Sequence, residues 1–325
     1  MKKLNILIPQ YNECEVDISP LLDSIAIQQN IDFDEIGVII CNDGSDYILC
    51  DNFIQSYPFD IQYYKESHKG VSATRNFLLN KSDAEYVMFC DADDMFYNAC
   101  GLWILFREFE KGEFDAFIST FIEEARDDDS VMYINHDIDT TFVHGKVYRK
   151  QYLIDNNIRF NDLLTIHEDS YFVTLAQKCT DSSRIKYCPT SFYLWRWRYN
   201  SVCRHDPKYI LKTYINMIDS NDALVDEFVK REMFDEANLH VGLMIFDTYY
   251  TFNKEEWVNQ DNIEYRDKTE KRFSEYYKKR KEMWINLSNE DKMRLSNTIR
   301  QRSIREGMMM ENITLDDWIN KIENL

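Results

Sequence analysis

Three carboxylates stand together at Asp91-Ala92-Asp93-Asp94, directly behind the apolar run Tyr86-Val87-Met88-Phe89. A short apolar run that ends in acid reads as a buried strand delivering polar groups at one end. Carboxylates this close repel one another unless a hard divalent cation or a basic partner neutralises them. One or two Asp oxygens together with phosphate are the usual setting for Mg²⁺ or Mn²⁺. An isolated Asp-X-Asp reads first as an acidic turn or helix cap. This cluster is accompanied by Pro9-Gln10-Tyr11-Asn12, Asn42-Asp43-Gly44-Ser45, Gly70-Val71-Ser72-Ala73-Thr74-Arg75-Asn76 and the acid pair Glu168-Asp169. The set could hold a cation against phosphate.

Residues so far apart need a frame. Residues 4–9 read as a first strand, 18–29 as an amphipathic helix and 35–41 as a second buried strand stopped by the turn at 42–45. A short strand at 61–64, a helix over 71–80 and the strand at 86–89 follow. This alternation predicts an α/β fold, Rossmann-like, with a mostly parallel sheet flanked by helices. Ligands of such sheets sit beyond the carboxyl ends of the strands, and Asn12, Asp43 and Asp91 each fall just past one. From 114 to 199 the pattern is mixed, with strands expected at 116–119, 131–134, 185–188 and 192–198 around a helix at 170–178. After His205 the pattern turns helical, with helices expected at 209–229, 232–252, 268–285, 291–305 and 315–322. The expected division is a sheet domain over 1–204 and a C-terminal helical extension over 205–325, with Pro207 suited to a helix start.

Composition narrows the class. With 325 residues, 44% of them hydrophobic, the chain can bury a real core, and no stretch approaches the ~20 apolar residues of a membrane span. The opening residues run straight into a strand pattern, too short an apolar stretch for a signal peptide, so the expected location is cytoplasmic. Eight cysteines without a Cys-x-x-Cys pair read as buried free thiols instead of disulfides or zinc ligands. A net charge of −19 argues against a surface that grips nucleic acid or anionic lipid as a whole. The local exception is 268–281, where seven Lys and Arg alternate with Phe273, Tyr276 and Tyr277. It reads first as a solvated helix face with its aromatics in a core, and second as a peripheral contact with an anionic acceptor or the inner face of a membrane. The Leu239, Leu243, Phe246, Tyr250 stripe reads as core before it reads as a homo-oligomer interface.

Taken in order and spacing, residues 8–12, 42–46, 70–76 and 91–94 and His167-Glu168-Asp169 resemble the GT-A fold glycosyltransferases of family 2. The resemblance ends near Arg204. It implies transfer of a sugar from a UDP-sugar to an acceptor hydroxyl, with Mn²⁺ or Mg²⁺ held by Asp93, Asp91 faced to the ribose or sharing the metal, and Asp94 near the donor sugar. Asp94 serves equally well as a helix cap. Asp43 is associated in the family with uridine, Tyr11 would stack on the base beside Asn12, and Pro9 fits a turn as readily as a donor contact. Arg75 would face the diphosphate or orient Asp91 and Asp93, with a purely structural ion pair as the alternative close behind. Glu168 and Asp169 lie at a helix N-terminus, where an Asp stays ionised. The resemblance makes Asp169 the general base and Glu168 the residue that positions it or the donor, so a single displacement would invert the anomeric configuration.

The segment 144–148 resembles one that usually carries Trp or a small residue before Lys-Leu-Tyr, with Lys146 able to reach phosphate and His144 a departure from the pattern. In 195–201, Arg198 or Arg196 would neutralise the leaving diphosphate, and His205 would complete the metal shell. The acceptor implied is a glycan of surface polysaccharide or glycoconjugate assembly, with protein or modified nucleic acid as alternatives. A non-catalytic nucleotide-sugar-binding module disagrees with the intact acids. A nucleotidyltransferase disagrees with a first loop, 9–12, that contains no glycine.

Overall fold

The computed structural model describes residues 1–126, 130–139, 141–199, 201, 206, 208–305 and 313–325. The chain divides into two compact units, Met1–Ser201 and Val202–Leu325.

The first unit opens with β1 (Leu4–Gln10), α1 (Glu15–Ala26), β2 (Ile36–Asp43), α2 (Asp51–Ile54), β3 (Asp60–Glu66), α3 (Val71–Lys81) and β4 (Tyr86–Phe89). It continues with β5 (Met95–Phe96), α4 (Gly101–Glu110), β6 (Ala116–Arg126), β7 (Val131–His136), β8 (Lys146–Arg149), α5 (Lys150–Asp155), α6 (Glu168–Lys178) and β9 (Ile185–Trp195). The sheet order is β3-β2-β1-β4-β8-β6-β9-β5, with β7 paired to β6. Its first four strands are parallel, β8 joins antiparallel to β4, and β9 runs parallel to β6.

The parallel half is buried on both faces, which is why β1, β2 and β4 read as unbroken apolar runs. One face packs Ile6, Ile8, Val38, Ile40 and Met88 against Ile18, Leu21, Leu22 and Ile25 of α1. On the other face Phe89 meets Phe160 and Phe172 edge-on. Several boundaries differ from the sequence expectation. β2 runs on through Asn42 and Asp43 because these pair with Lys65 and Glu66 of β3. The strands expected at 185–188 and 192–198 are one strand that ends at Trp195, with a register shift opposite Ser119 and Phe121 of β6. α4 and β8 were outside the expectation, although Leu102, Leu105 and Phe109 give α4 its buried face.

Asp115, just before β6, ties three elements together. Its Oδ1 accepts from Arg149 Nη2 at 2.7 Å, and its Oδ2 accepts from Arg184 Nε and Thr180 Oγ1, both at 2.6 Å. Burial opposes the charge, but these donors outweigh it and hold the carboxyl at about 2. A depressed carboxyl stabilises the fold above its unfolded pKa of about 3.9 and loses that contribution as pH falls toward the folded value. Asp115→Asn is therefore expected to cost about 2 kcal/mol at pH 7 and progressively less in urea titrations repeated down to pH 3.

The second unit is helical among the described residues: α7 (Tyr209–Lys230), α8 (Phe234–Thr251), α9 (Glu255–Val258), α10 (Ile263–Asn286), α11 (Asn289–Arg305) and α12 (Leu315–Glu323). α8 packs against α7, α10 and α11, and α12 against α10. In the basic run, Phe273, Tyr276 and Tyr277 are buried. Arg272 pairs with Asp219 and Asp222, Lys279 and Arg280 pair with Asp222 and Asp226, and Lys281 pairs with Glu323. Four of its cations are thus neutralised within the unit, three of them by acids of α7. Of the apolar stripe on α8, Phe246 and Tyr250 are buried, while Leu239 and Leu243 are half-buried. Among the described residues, no helix is long and apolar enough to cross a membrane.

Candidate active site

Arg75 organises the acids. It lies one turn into α3 at 3% exposure, where an unpaired guanidinium would be costly. Its Nη2 donates to Asp91 Oδ1 at 2.8 Å, and its Nη1 donates to Glu168 Oε1 at 3.0 Å and to Asp169 Oδ1 at 2.6 Å. One planar fork joins the end of β4 to the start of α6, geometry that a point charge could not reproduce. His167, the residue before α6, adopts φ +63 in the left-handed region and turns the chain sharply into Glu168 and Asp169.

The same burial that holds this cluster sets its protonation. Asp169 is raised to about 7, because burial outweighs the pull of Arg75, and Glu168 and Asp91 add repulsion. The helix N-terminus and Arg75 therefore do not keep Asp169 in the ordinary carboxylate range, contrary to the sequence expectation. A carboxyl near 7 is well matched to proton abstraction at neutral pH. Asp91 ends below the ordinary range, since Arg75 and its hydrogen bond overcome burial.

The remaining acids separate. Asp93 faces outward and accepts from Arg198 Nη1 at 2.9 Å; burial and Asp91 raise its pKa, and Arg198 only partly offsets them. The same Arg198 atom lies 3.1 Å from Glu13 Oε1, so it bridges the β1 loop to Asp93. Arg196 Nη1 reaches the Asp93 carbonyl at 3.1 Å. Asp94 is completely buried, accepting from Tyr193 Oη at 2.6 Å and from the Arg196 amide at 2.9 Å, and so anchors the end of β9.

The first two strand ends supply the other side of the site. Pro9 lies within β1 and pairs in register with Cys41; Asn12 takes a left-handed φ of +71 just beyond it. Asp43 is buried at the end of β2, its two oxygens accepting the amides of Lys69 at 2.8 Å and Gly70 at 2.9 Å. His68 Nδ1 lies 2.9 Å from Asp43 Oδ2, and its ring stacks on half-exposed Tyr11 at 4.4 Å. Gly44 lets this loop close: it has φ +79, and an added Cβ would lie 2.4 Å from the His68 amide.

A hard divalent cation fits Asp91 and Asp93 by the chemistry of their donors. Their side chains are 31% and 27% exposed, and Asp91 keeps one oxygen free of the Arg75 contact. Asp91, Asp94 and His144 form a second grouping, with ligand atoms within 4.8 Å of one another. In it, both Asp94 oxygens already accept hydrogen bonds, and His144 is boxed by Phe142, Tyr193 and Trp195. His205 lies outside the described residues.

Lys146 does not reach a phosphate. It is completely buried with Nζ 3.2 Å from Asp139 Oδ2, because β8 turns it into the protein. Sequence reasoning missed His68, Tyr193 and Asp139. Only His68 had a signal, its place two residues before Gly70 in a segment already singled out.

The model for Glycosyl transferase family 2 matches residues 5–169, half of the chain. The minor teichoic acid biosynthesis protein GgaB of Bacillus subtilis is 29% identical over 188 residues, 53% of this chain and 20% of its own length. The poly(ribitol-phosphate) beta-N-acetylglucosaminyltransferase TarS of Staphylococcus aureus is 26% identical over 191 residues, 54% of this chain and 32% of its own. The matches thus span a fifth to a third of these relatives. The crystal structure of S. aureus TarS 1–349 shares the fold, with a TM-score of 0.61 at 16% identity over 92% of both chains. The same TarS fragment in complex with UDP-GlcNAc gives a TM-score of 0.61 at 17% identity, again over 92% of both chains. The family match, over the segment that carries Asp43, Arg75, the 91–94 acids and Asp169, shows that this chain belongs to glycosyltransferase family 2.

Proposed function

We propose that this chain transfers a sugar from a UDP-sugar to an acceptor hydroxyl, with inversion and with the help of a divalent metal, in the assembly of a cell-surface polysaccharide or glycoconjugate. The observation that carries the reading is the Arg75 fork, which places a carboxyl of pKa about 7 beside the acids of the donor side. In this reading residues 1–204 are the transferase domain. Asp169 takes the proton of the acceptor hydroxyl, and Glu168 shares the Arg75 contact that orients it. Asp43 and Tyr11 receive the uracil, the first as hydrogen-bond acceptor and the second as stacking face. Arg198, bridging Asp93 and Glu13, turns its charge to the diphosphate. A cation held by Asp93 and Asp91 would supply positive charge to the leaving phosphate oxygens.

The UDP-sugar is supported by the UDP-GlcNAc complex of the TarS fragment, and a surface-polymer acceptor by the names of GgaB and TarS. A thermal-shift panel of UDP, GDP, dTDP and several UDP-sugars, each with Mn²⁺, Mg²⁺ or EDTA, tests the donor site. UDP and one UDP-sugar are expected to raise Tm selectively and only with metal, since ligand that binds the native state stabilises it. In Asp93→Ala the metal-dependent part of that shift is expected to vanish, with UDP affinity about tenfold weaker or less. No response to any nucleotide would sink the reading, and unchanged metal dependence in Asp93→Ala would move the cation elsewhere.

A further inference from the structure

Lys146 opens β8 at 0% exposure, where a lysine is seldom found because an ammonium is costly to desolvate. Its partner Asp139 takes Nζ on Oδ2 at 3.2 Å and uses Oδ1 to accept the amides of Thr141 at 2.6 Å and Phe142 at 2.9 Å. The loop then closes on itself. The Lys146 amide donates to the Val143 carbonyl at 3.2 Å, and the Gly145 carbonyl accepts from the Ser119 amide at 3.2 Å and Oγ at 2.9 Å. Gly145 has φ +67, and a Cβ there would lie 2.3 Å from Ser119 Oγ, so no other residue fits. Held this way, the Val143 amide points at Asp169 Oδ2 at 3.4 Å, while His144 Nδ1 lies 3.9 Å from Asp94. One short loop therefore touches both Asp169 and the 91–94 motif. An apolar pair of similar volume would fill the space under it at lower cost, so stability alone gives no reason for the two charges.

We propose that the pair of buried Lys146 and half-buried Asp139 is a positioning device for Asp169: it fixes the loop that puts the Val143 amide on one carboxylate oxygen while Arg75 binds the other, and it keeps a cation behind the base. This rests on the reading of Asp169 as the base. The charged groups facing Asp169 are Arg75 from α3, Asp91 from the end of β4, Glu168 from α6 and, behind the loop, Lys146 from β8. Burial lowers the pKa of Lys146, and Asp139 and Asp169 are the groups that oppose this.

The experiment compares Lys146→Met, Asp139→Asn and Asp169→Asn with the parent for kcat, KM, UDP affinity, Tm and the pH profile of kcat. Lys146→Met is expected to fold, to bind UDP within about twofold of the parent and to lose about 10- to 100-fold in kcat. Its acid limb moves to higher pH because the base has lost a cation. Asp139→Asn removes the carboxylate that opposes the burial of Lys146, so the ammonium is lost more readily; this variant too is expected to lose kcat and to move its acid limb to higher pH, and it carries the test should Lys146→Met fail to fold. Parental kcat and limb in both variants while Asp169→Asn is inactive would overturn the proposal. Equal losses of kcat and UDP binding in both variants would also overturn it, in favour of a structural role. Parental turnover in Asp169→Asn would remove the base itself, and the proposal with it, which the other two outcomes would not do.

Discussion

Asp169→Asn is expected to lower sugar transfer about a thousandfold while UDP affinity stays at the parental level, because a general base contributes to the reaction and not to donor binding. The prediction has a pH signature. With the carboxyl raised to about 7 by burial, kcat/KM of the parent should fall with unit slope below that pH and level off above it. It also has a stability signature of defined sign. A carboxyl whose folded pKa is raised binds its proton more tightly when folded, so its contribution is complete below about 4 and is lost as pH rises through 7. Asparagine does not titrate, and the Tm difference between Asp169→Asn and the parent should therefore move in favour of the variant from pH 5 to pH 8. Loss of activity with that trend separates a missing base from a damaged fold. Turnover at the parental rate would remove Asp169 from the reaction.

The centre of the parallel half was legible because β1, β2 and β4 are buried on both faces and leave nearly unbroken apolar runs, each followed by polar residues. That is why Asp43 and Asp91 could be placed at strand ends from the chain alone. The strand β8 was not legible: four residues with a lysine at their head carry no periodicity, and only tertiary burial makes Lys146 part of the core. The fates of Asp93 and Asp94 were equally hidden. They are adjacent in sequence, yet Asp94 turns inward because Tyr193, 99 residues away, offers it a hydroxyl, while Asp93 keeps an outward face for Arg198. The ionisation of Asp169 failed for a related reason. A helix N-terminus is visible in a sequence, but the desolvation that outweighs it is set by everything packed around it.

Arg75→Met should be the most destabilising single change in the first unit. Arg75 is buried among three carboxylates from two distant segments, and removing it leaves Asp91, Glu168 and Asp169 facing one another without a cation. Breaking a buried charge network by deleting one partner costs about 3–5 kcal/mol. The cost should be largest near pH 8, where the acids are ionised. It should shrink toward pH 5, because Asp169, raised to about 7, takes up its proton and leaves less negative charge for the guanidinium to neutralise, while the Asp91 share persists until pH falls through its lowered value. Arg75→Lys separates charge from shape: a single ammonium restores part of the stability but cannot donate to Asp91 through one nitrogen and to Glu168 and Asp169 through another. Urea unfolding of both variants at pH 5 and pH 8, with turnover measured on the same samples, decides the matter. A lysine variant as active as the parent would mean that the fork geometry is dispensable and that positive charge alone holds the base in place. An Arg75→Met variant within 1 kcal/mol of the parent at pH 8 would mean that the three partly exposed acids find other partners or water.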